Sequence, residues 1–342
     1  MRRRRLLVLA AVLILILAFG YLNRSAIRSG LDAISGADYA GPGHGSVTLV
    51  IEKGDDGSVI AKRLVDLGVV KTYRTVYKLL VSRNQTFYPG SYALNLQMSS
   101  PAALDAIADP KNRISNRVTI KEGWRITVTL VALAKTTDIP ESSFKSAAEN
   151  LSAIGVPTGE VSAEGWLFPA TYEFDPGTDA TTVLSTMVKR TKAELEKFGV
   201  AQKDWHRVLT LAALVQKEGR LTADFYKISR VFQNRISAGM HLQSDATVSY
   251  GVNGSTVSTS ASDRANPNGY NTYLNPGLPI GPIGAPGSIA IDAALHPAAG
   301  KWLYFCAINL ATGETVFSNT YAEHQAAVRQ WQAWMKANPG YD

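Results

Sequence analysis

Cysteine and histidine are scarce in this chain, which limits the chemistry available to it. Its 342 residues include one cysteine, Cys306, so no intramolecular disulfide can form. Cys306 lies in the apolar stretch KWLYFCAINL, which predicts a buried strand. The five histidines are scattered, and none belongs to an H-E-x-x-H or H-x-x-x-H pair, so we expect no metal site.

Signatures of nucleotide and nucleic-acid binding are also absent. The sequence has no G-x-x-x-x-G-K-[ST] loop and no strand-linked G-x-G-x-x-G turn, and nothing indicates a pyridoxal site. The net charge of +7 falls to about +3 when the four leading arginines are left out (7 − 4). No stripe of basic residues interleaved with aromatics follows. We therefore expect no cofactor and no nucleic-acid partner.

One long hydrophobic run is present, and it lies at the N-terminus. The uncharged segment Leu6–Leu22 follows MRRRR and is just long enough to span a bilayer as a helix. A cleaved signal peptide is the alternative, but AFGYLNRS offers no convincing cleavage site. The arginines before the run predict a cytoplasmic N-terminus, a single-pass anchor in the plasma membrane over residues 1–22, and an extracytoplasmic remainder.

The rest of the chain predicts an α+β fold in two parts. Residues 23–46 form a linker rich in small residues, and residues 47–125 follow a strand–helix–helix–strand order that is typical of a small LysM-like α+β subdomain. Ser58 is the expected cap of its first helix. Residues 126–342 predict a larger mixed domain of helices and loops, in which 164–179 interrupts the helical pattern.

A serine nucleophile is one chemical candidate in the sequence. Ser142 and Lys145 form an S-x-x-K pattern, but its partner motifs S-D-N and K-T-G are missing. A bare S-x-x-K is expected by chance in a chain of this length. The pattern therefore carries little weight as a catalytic signature.

A carboxyl group is the stronger candidate. Glu218 shares one face of a predicted helix with Leu211, Leu214 and Val215, at the spacing i, i+3, i+4 and i+7. An apolar setting disfavours the charged form, so the pKa of Glu218 should rise toward the range useful to a general acid. The alternative is that the helix ends near residue 217 and Glu218 is an ordinary last-turn residue.

Two long loops favour the functional interpretation of Glu218. HLQSDATVSYG (241–251) and YNTYLNPGLPIGPIGAPG (270–287) combine hydroxyl, amide and aromatic side chains with glycines and prolines. Such side chains line sugar-binding grooves, and loops of this length inside a compact domain are more often functional than not. Ordinary surface connection is the alternative.

These segments together resemble the YceG-like family. LAALVQKEGR, VFQNRISAGMHLQSDATVSYG, YNTYLNPGLPIGPIGAPG, AALHP, WLYF and FSNTYAEH occur in the family's order and spacing, and EGWLFPATYEF is similar to its upstream motif. The resemblance covers roughly residues 47–338. It implies a membrane helix, a LysM-like subdomain and a catalytic domain, and its characterised members are endolytic murein transglycosylases.

By that resemblance, the expected substrate is the glycan strand of peptidoglycan. The β-1,4 bond between N-acetylmuramic acid and N-acetylglucosamine is cut within the strand, leaving 1,6-anhydromuramic ends, and the reaction terminates or trims nascent strands. Glu218 takes the position of the catalytic glutamate, acting as general acid and then base. Peptidoglycan synthases are possible partners. The expected groove residues are Gln243, Asp245, Tyr250, Asn271, Tyr273 and Asn319.

The chain departs from the family pattern at three positions. Gln216 replaces the first acid of an E-K-E pattern, Gly219 replaces a threonine, and Ala246 replaces a proline. Gln216 points away from Glu218 on a helix, so we expect that change to leave the acid untouched. Glu164 and Trp166 are weaker site candidates, because EGW also occurs at 122–124.

Two other functions stay open at this point. A hydrolytic muramidase would use Asp245 as a second carboxylate, at a separation from Glu218 of about 5 Å or about 6.5–9.5 Å. A non-catalytic glycan-binding scaffold would rely on the LysM-like part and would give Glu218 a structural role.

Overall fold

The computed structural model describes residue 24, residues 37–254 and residues 259–340. The predicted membrane anchor, 1–22, and most of the predicted linker lie outside these residues. Among the residues that are described, no helix is long and apolar enough to cross a membrane. The described part of the chain divides into two compact units, with the boundary between Ser115 and Asn116.

The first unit is a three-stranded antiparallel sheet with helices. Strand β2 lies between β1 and β3, and Tyr92 of β2 pairs with Leu49 of β1. Leu49, Ile60 and Leu64 are among the buried residues of its core. In chain order the elements are β1 (His44–Ile51), α1 (Gly57–Asp66), α2 (Tyr73–Arg83), β2 (Gly90–Leu96), α3 (Ser100–Ala108), a 3-10 turn (Pro110–Asn112) and β3 (Arg113–Ile114).

The predicted strand–helix–helix–strand order is therefore present, and the mixed α+β class is confirmed. The LysM-like character of this unit stays a prediction. Its first helix is capped by Asp56, whose carboxylate accepts from the N–H groups of Ser58 and Val59, and not by Ser58 as expected. A carboxylate two residues earlier reaches those N–H groups more directly.

The second unit is helical, with two small two-stranded sheets. Its elements are β4 (Asn116–Thr119), α4 (Ile126–Thr137), α5 (Glu141–Glu149), β5 (Thr171–Phe174), α6 (Ala180–Lys197), a 3-10 turn (Gln202–Asp204), α7 (Trp205–Glu218), a 3-10 turn (Thr222–Asp224), α8 (Phe225–Ser237), α9 (Asp245–Gly251), α10 (Ala261–Arg264), α11 (Ser288–Leu295), β6 (Tyr304–Asn309), β7 (Glu314–Ser318) and α12 (Tyr321–Ala337).

The strands differ from the sequence-based expectations in three respects. Residues 116–119 were predicted to belong to the LysM-like subdomain over 47–125. They pair antiparallel with Thr171–Phe174 and belong to the second unit. The partner strand lies inside the segment predicted as a loop over 164–179. Strand β6, which carries Cys306, pairs with β7 and is half-buried along its whole length, where a buried strand was expected.

Helix α7 lies at the centre of the second unit. Every residue from Val208 to Val215 is buried, so the helix is enclosed around its whole circumference and not on one face only. It packs against α8 and α11. Burial of this kind contributes about 1.5–3 kcal/mol for each large apolar side chain, which fixes the helix and the position of its last residue.

Two turns of the same sequence, Glu-Gly-Trp, support the long loop 270–287. In the first, the N–H of Gly123 donates to the carbonyl of Ala285 at 2.7 Å. In the second, Gly165 has a φ of +79° and packs so closely on Pro282 that a Cβ at Gly165 would overlap the proline ring. Both turns thus contact the loop and help to fix its position.

Replacing Gly165 by alanine should therefore destabilise the protein more than a positive φ alone explains. Gly177 is the matched control, because its φ is +84° and no atom lies within 4 Å of a Cβ built there. Both variants lose about 1–2 kcal/mol to the left-handed backbone. Gly165→Ala loses about 1–3 kcal/mol more to the overlap with Pro282. Thermal unfolding measures the difference, and equal Tm values would contradict this packing.

Candidate active site

Glu218 is the last residue of α7. Gly219 follows with extended backbone angles, φ −82° and ψ 127°. A Cβ on Gly219 would overlap the ring of Phe225, so glycine lets the chain turn away directly after the acid. Glu218 therefore lies within the last turn of an apolar helix, which ends one residue beyond the end near residue 217 that the alternative predicted.

The hydroxyl of Ser244 donates a hydrogen bond to Oε1 of Glu218. Ser244 immediately precedes α9 and is 4% exposed, and its hydroxyl makes no capping bond to that helix. Its own N–H donates to Oγ1 of Thr272 at 3.1 Å, and Thr247 donates to its carbonyl at 2.7 Å. The two threonine hydroxyls are 2.8 Å apart. Ser244 is thus held on both sides while its hydroxyl meets the acid.

The pKa of Glu218 is raised above its ordinary value of 4.5. Burial of the carboxyl group is the largest cause, the hydrogen bond from Ser244 opposes it, and the negative charge of Asp245 adds to it. The residue as a whole is half-buried. The result is a carboxyl group that holds its proton to higher pH than an ordinary glutamate.

Asp245 lies at the start of α9, beside Ser244. Its Oδ1 accepts hydrogen bonds from the hydroxyls of Thr259, at 2.5 Å, and Tyr273, at 3.0 Å. The guanidinium of Arg264 is 3.9 Å from the same oxygen. Burial, followed by the charge of Asp245, raises the pKa of Tyr273 to about 12, and Glu218 contributes to that shift. Tyr273 and Asp245 therefore belong to the same polar group as Glu218.

Gln243 and Tyr250 flank this group on the same chain segment. Gln243 is exposed, has a left-handed φ of 51°, and its N–H donates to the carbonyl of Thr272 at 3.1 Å. A non-glycine residue in that conformation is held there by its surroundings. Tyr250 turns inward instead, and its hydroxyl donates to Glu164 at 3.1 Å.

Asn271 and Asn319 do not join the group. Asn271 is fully buried, and its amide donates to the carbonyls of Arg264 and Asn266 at 2.9 and 2.8 Å. Asn271 therefore stabilises the loop, whereas the sequence predicted that it would line the groove. Asn319 is exposed at the start of α12, where its N–H donates to Glu323 at 2.8 Å.

The weaker candidates are accounted for by packing. Trp166 is fully buried in the core against Trp205, so it cannot touch a ligand. Glu164 is 2% exposed. In the S-x-x-K pattern, Lys145 forms an exposed ion pair with Glu141 at 2.7 Å. Within residues 37–254 and 259–340, no group of three or more His, Cys, Asp or Glu side chains is arranged to hold a metal ion.

Comparison with known proteins places this site in a family. The model of the YceG-like family matches residues 49–330, which is most of the chain. The chain belongs to the YceG-like family. A Bacillus subtilis (strain 168) protein named endolytic murein transglycosylase is 31% identical over 307 residues, covering 84% of this chain and 85% of that protein.

Two further proteins with similar sequences carry the same protein or family name. A Streptococcus pneumoniae (strain D39) protein of the same name is 27% identical over 328 residues and 83% of this chain, which spans 58% of that protein's length. The crystal structure of a yceG-like protein from Listeria monocytogenes is 27% identical, with a TM-score of 0.55. It covers 82% of this chain and 99% of the Listeria chain.

Three participants were missed from the sequence. Ser244 and Thr272 stand next to predicted groove residues, yet only the folded chain brings Ser244 to Glu218 and Thr272 to Ser244. Gln216 accepts a hydrogen bond from the N–H of Gly287 at 3.0 Å and so anchors the end of loop 270–287. The available signal for Ser244 was its position directly before Asp245 in the segment QSDA.

The raised pKa of Glu218 makes a prediction about stability. The folded state keeps this proton at pH values where the unfolded chain has released it, so stability falls as pH rises above about 4.5. The Glu218→Gln protein has no carboxyl group to deprotonate at this position, so its stability should not show this fall with rising pH. We expect its Tm to exceed that of the unaltered protein at pH 8, with the gap closing toward pH 4.5.

The control for this measurement is Glu196→Gln, an exposed glutamate on α6. It should show no comparable pH-dependent change in Tm. A Glu218→Gln protein that is less stable than the unaltered one at pH 8 would contradict the desolvation of this carboxyl group.

Proposed function

We propose that this chain is a lytic transglycosylase of peptidoglycan, in which Glu218 is the single acid and base. The observation that carries the proposal is the Glu218 carboxyl group, with a raised pKa and a hydrogen bond from Ser244, at the end of a buried helix. The names of the Bacillus and Streptococcus relatives support the same reaction class.

The reaction needs no second carboxyl group. Protonated Glu218 gives its proton to the glycosidic oxygen as the bond from that oxygen to C1 of the muramic residue breaks. The 6-hydroxyl of the same residue forms a bond to C1, and its proton passes to the Glu218 carboxylate. The proton is thus restored and no water is consumed. The products are a new N-acetylglucosamine end and a 1,6-anhydromuramic end.

Ser244 and Asp245 act on this cycle in opposite directions. The Ser244 hydroxyl stabilises the carboxylate that exists after the first proton transfer, whereas the charge of Asp245 favours the protonated form that starts the cycle. A general acid works best when its pKa lies near the operating pH, so two opposed influences suit a residue that must both give and take a proton.

Gln243, Asp245 and Tyr273 are the residues we propose to line the groove beside Glu218. Gln243 is exposed next to Ser244, and Tyr273 reaches Asp245 through its hydroxyl. Side chains with amide, carboxylate and phenol groups offer the hydrogen-bond partners that sugar hydroxyls and acetamido groups require.

A hydrolytic muramidase is the second candidate, because Asp245 gives the site another carboxylate close to the acid. Such an enzyme would use Asp245 as nucleophile or as base for water. The Oδ1 atom of Asp245 is instead occupied by the hydroxyls of Thr259 and Tyr273. These bonds fit a carboxylate that acts through its charge.

Product analysis on purified sacculi tests the reaction. The unaltered protein should release fragments with anhydromuramic ends, which mass spectrometry separates from reducing ends by the mass of one water. Glu218→Gln should release none, a loss of at least about 10³-fold, since the only proton donor is removed. Asp245→Asn should keep the anhydro products at a reduced rate.

Reducing ends from the unaltered protein would instead establish the hydrolase. A Glu218→Gln protein that remains folded and still yields anhydro ends would refute the role of Glu218. A glycan-binding scaffold predicts no fragments from either protein.

The proposal includes a location at the outer face of the plasma membrane. The uncharged run Leu6–Leu22 behind four arginines supports a single-pass anchor with a cytoplasmic N-terminus. There the enzyme would meet newly made strands, which it would terminate or trim beside the synthases that make them.

Fractionation of cells that produce the full chain tests the anchor. The full chain should stay with membranes through a high-salt and carbonate wash, and a variant lacking residues 2–22 should not. Release of the full chain by the wash would refute the anchor.

A further inference from the structure

Glu164 is a second buried acid in the catalytic unit, and the proposed reaction does not use it. Its two carboxylate oxygens each lie 3.0 Å from the N–H of Ile126, which donates to them, and Oε2 also accepts from the hydroxyl of Tyr250 at 3.1 Å. Only 2% of the residue is exposed, so it cannot meet a glycan. A buried carboxyl group with specific partners calls for an explanation.

The partners of Glu164 join two helices. Ile126 is the first residue of α4, whose N-terminus favours a negative charge, and Tyr250 lies near the end of α9. Arg125 strengthens the junction, because its guanidinium lies 5.1 Å from the centre of the Tyr250 ring and donates to Ser249 at 3.4 Å. The start of α4 therefore holds the end of α9.

The other end of α9 meets the catalytic acid. Ser244 directly precedes this two-turn helix and donates to Glu218. Tyr250 lies six residue steps beyond Ser244, which is about 9 Å along the helix axis. A helix this short moves as one piece, so a change of tilt at Tyr250 displaces the Ser244 hydroxyl from Glu218.

We propose that Glu164 is a positioning residue: through Tyr250 it fixes the helix Asp245–Gly251 and thereby holds the Ser244 hydroxyl on the Glu218 carboxyl group. This inference rests on the proposed role of Glu218. It explains why the chain keeps an acid in a site where burial raises the pKa of Glu164 to about 7.

The titratable groups that face Glu164 come from three segments. They are Lys217 on α7, Tyr250 on α9 and Tyr270 on the long loop, and Arg125 lies over the ring of Tyr250. Lys217 favours the charged form of Glu164, and burial lowers the pKa of Lys217 itself. Lys217 immediately precedes Glu218, so the cluster also borders the acid from the side of α7.

A double-mutant cycle on the full chain tests the proposal, with Ser244→Ala as one partner and Tyr250→Phe or Glu164→Gln as the other. If all three act through the same hydrogen bond, each single change should lower kcat by about 10-fold and leave KM unchanged. Each double variant should be no slower than the slower of its single variants.

The pH profile supplies a second readout. The Ser244 bond lowers the pKa of Glu218, so its loss should move the alkaline limb of kcat to higher pH. Tyr250→Phe and Glu164→Gln should move that limb in the same direction as Ser244→Ala. A residue needed only for stability would lower Tm and leave the limb in place.

Glu160→Gln is the matched control. Glu160 is a largely buried carboxylate four residues earlier, paired with His206 at 2.8 Å and not with α9. Its kcat and pH profile should equal those of the unaltered protein. Tyr250→Phe keeps the ring and remains informative if Glu164→Gln does not fold.

Two results overturn the proposal: losses in kcat that multiply in the double variants, or an alkaline limb that stays in place in Tyr250→Phe. Either result leaves the proposed function intact as long as Glu218→Gln is inactive. An active Glu218→Gln protein refutes the proposed function instead.

Discussion

The burial of α7 determines the arrangement of the second unit, which carries Glu218. Because the helix is enclosed from Val208 to Val215, it can neither rotate nor slide without repacking the core around it. Its last residue, Glu218, is therefore held at a fixed point and partly removed from water. The loops and short helices that follow have only to bring polar groups to that point. A flexible acid on a surface loop would have neither the position nor the raised pKa.

Consecutive residues then influence that acid with opposite sign. Ser244 donates a hydrogen bond that favours the carboxylate, and Asp245 adds a charge that favours the acid. Because both stand at the start of one short helix, any movement of that helix changes both effects at once. The proton affinity of Glu218 is thus sensitive to the placement of a single two-turn element, which makes the support of that element important.

The sequence predicted what depends on local periodicity and missed what depends on pairing over distance. Glu218 could be found because an apolar face of helical spacing leads to it. Ser244 lies 26 residues from its partner, and no pattern of neighbouring residues reports that contact. The strand Thr171–Phe174 was hidden for the same reason, since its partner lies at Asn116–Thr119. Asn271 was misplaced because a buried, internally satisfied amide and a groove amide look alike in sequence.

Gln216 shows how a position near the proposed catalytic residue can differ from the family pattern without affecting that residue. Its side-chain oxygen accepts the N–H of Gly287, the residue that caps α11. A glutamate, as in the family's E-K-E pattern, has an oxygen at the same reach and can accept the same bond. Exchange between the two residues preserves the anchor of the loop and alters only charge, on the side of α7 that faces away from Glu218. The glutamine at position 216 of this chain is therefore compatible with the proposed catalytic role of Glu218 two residues later.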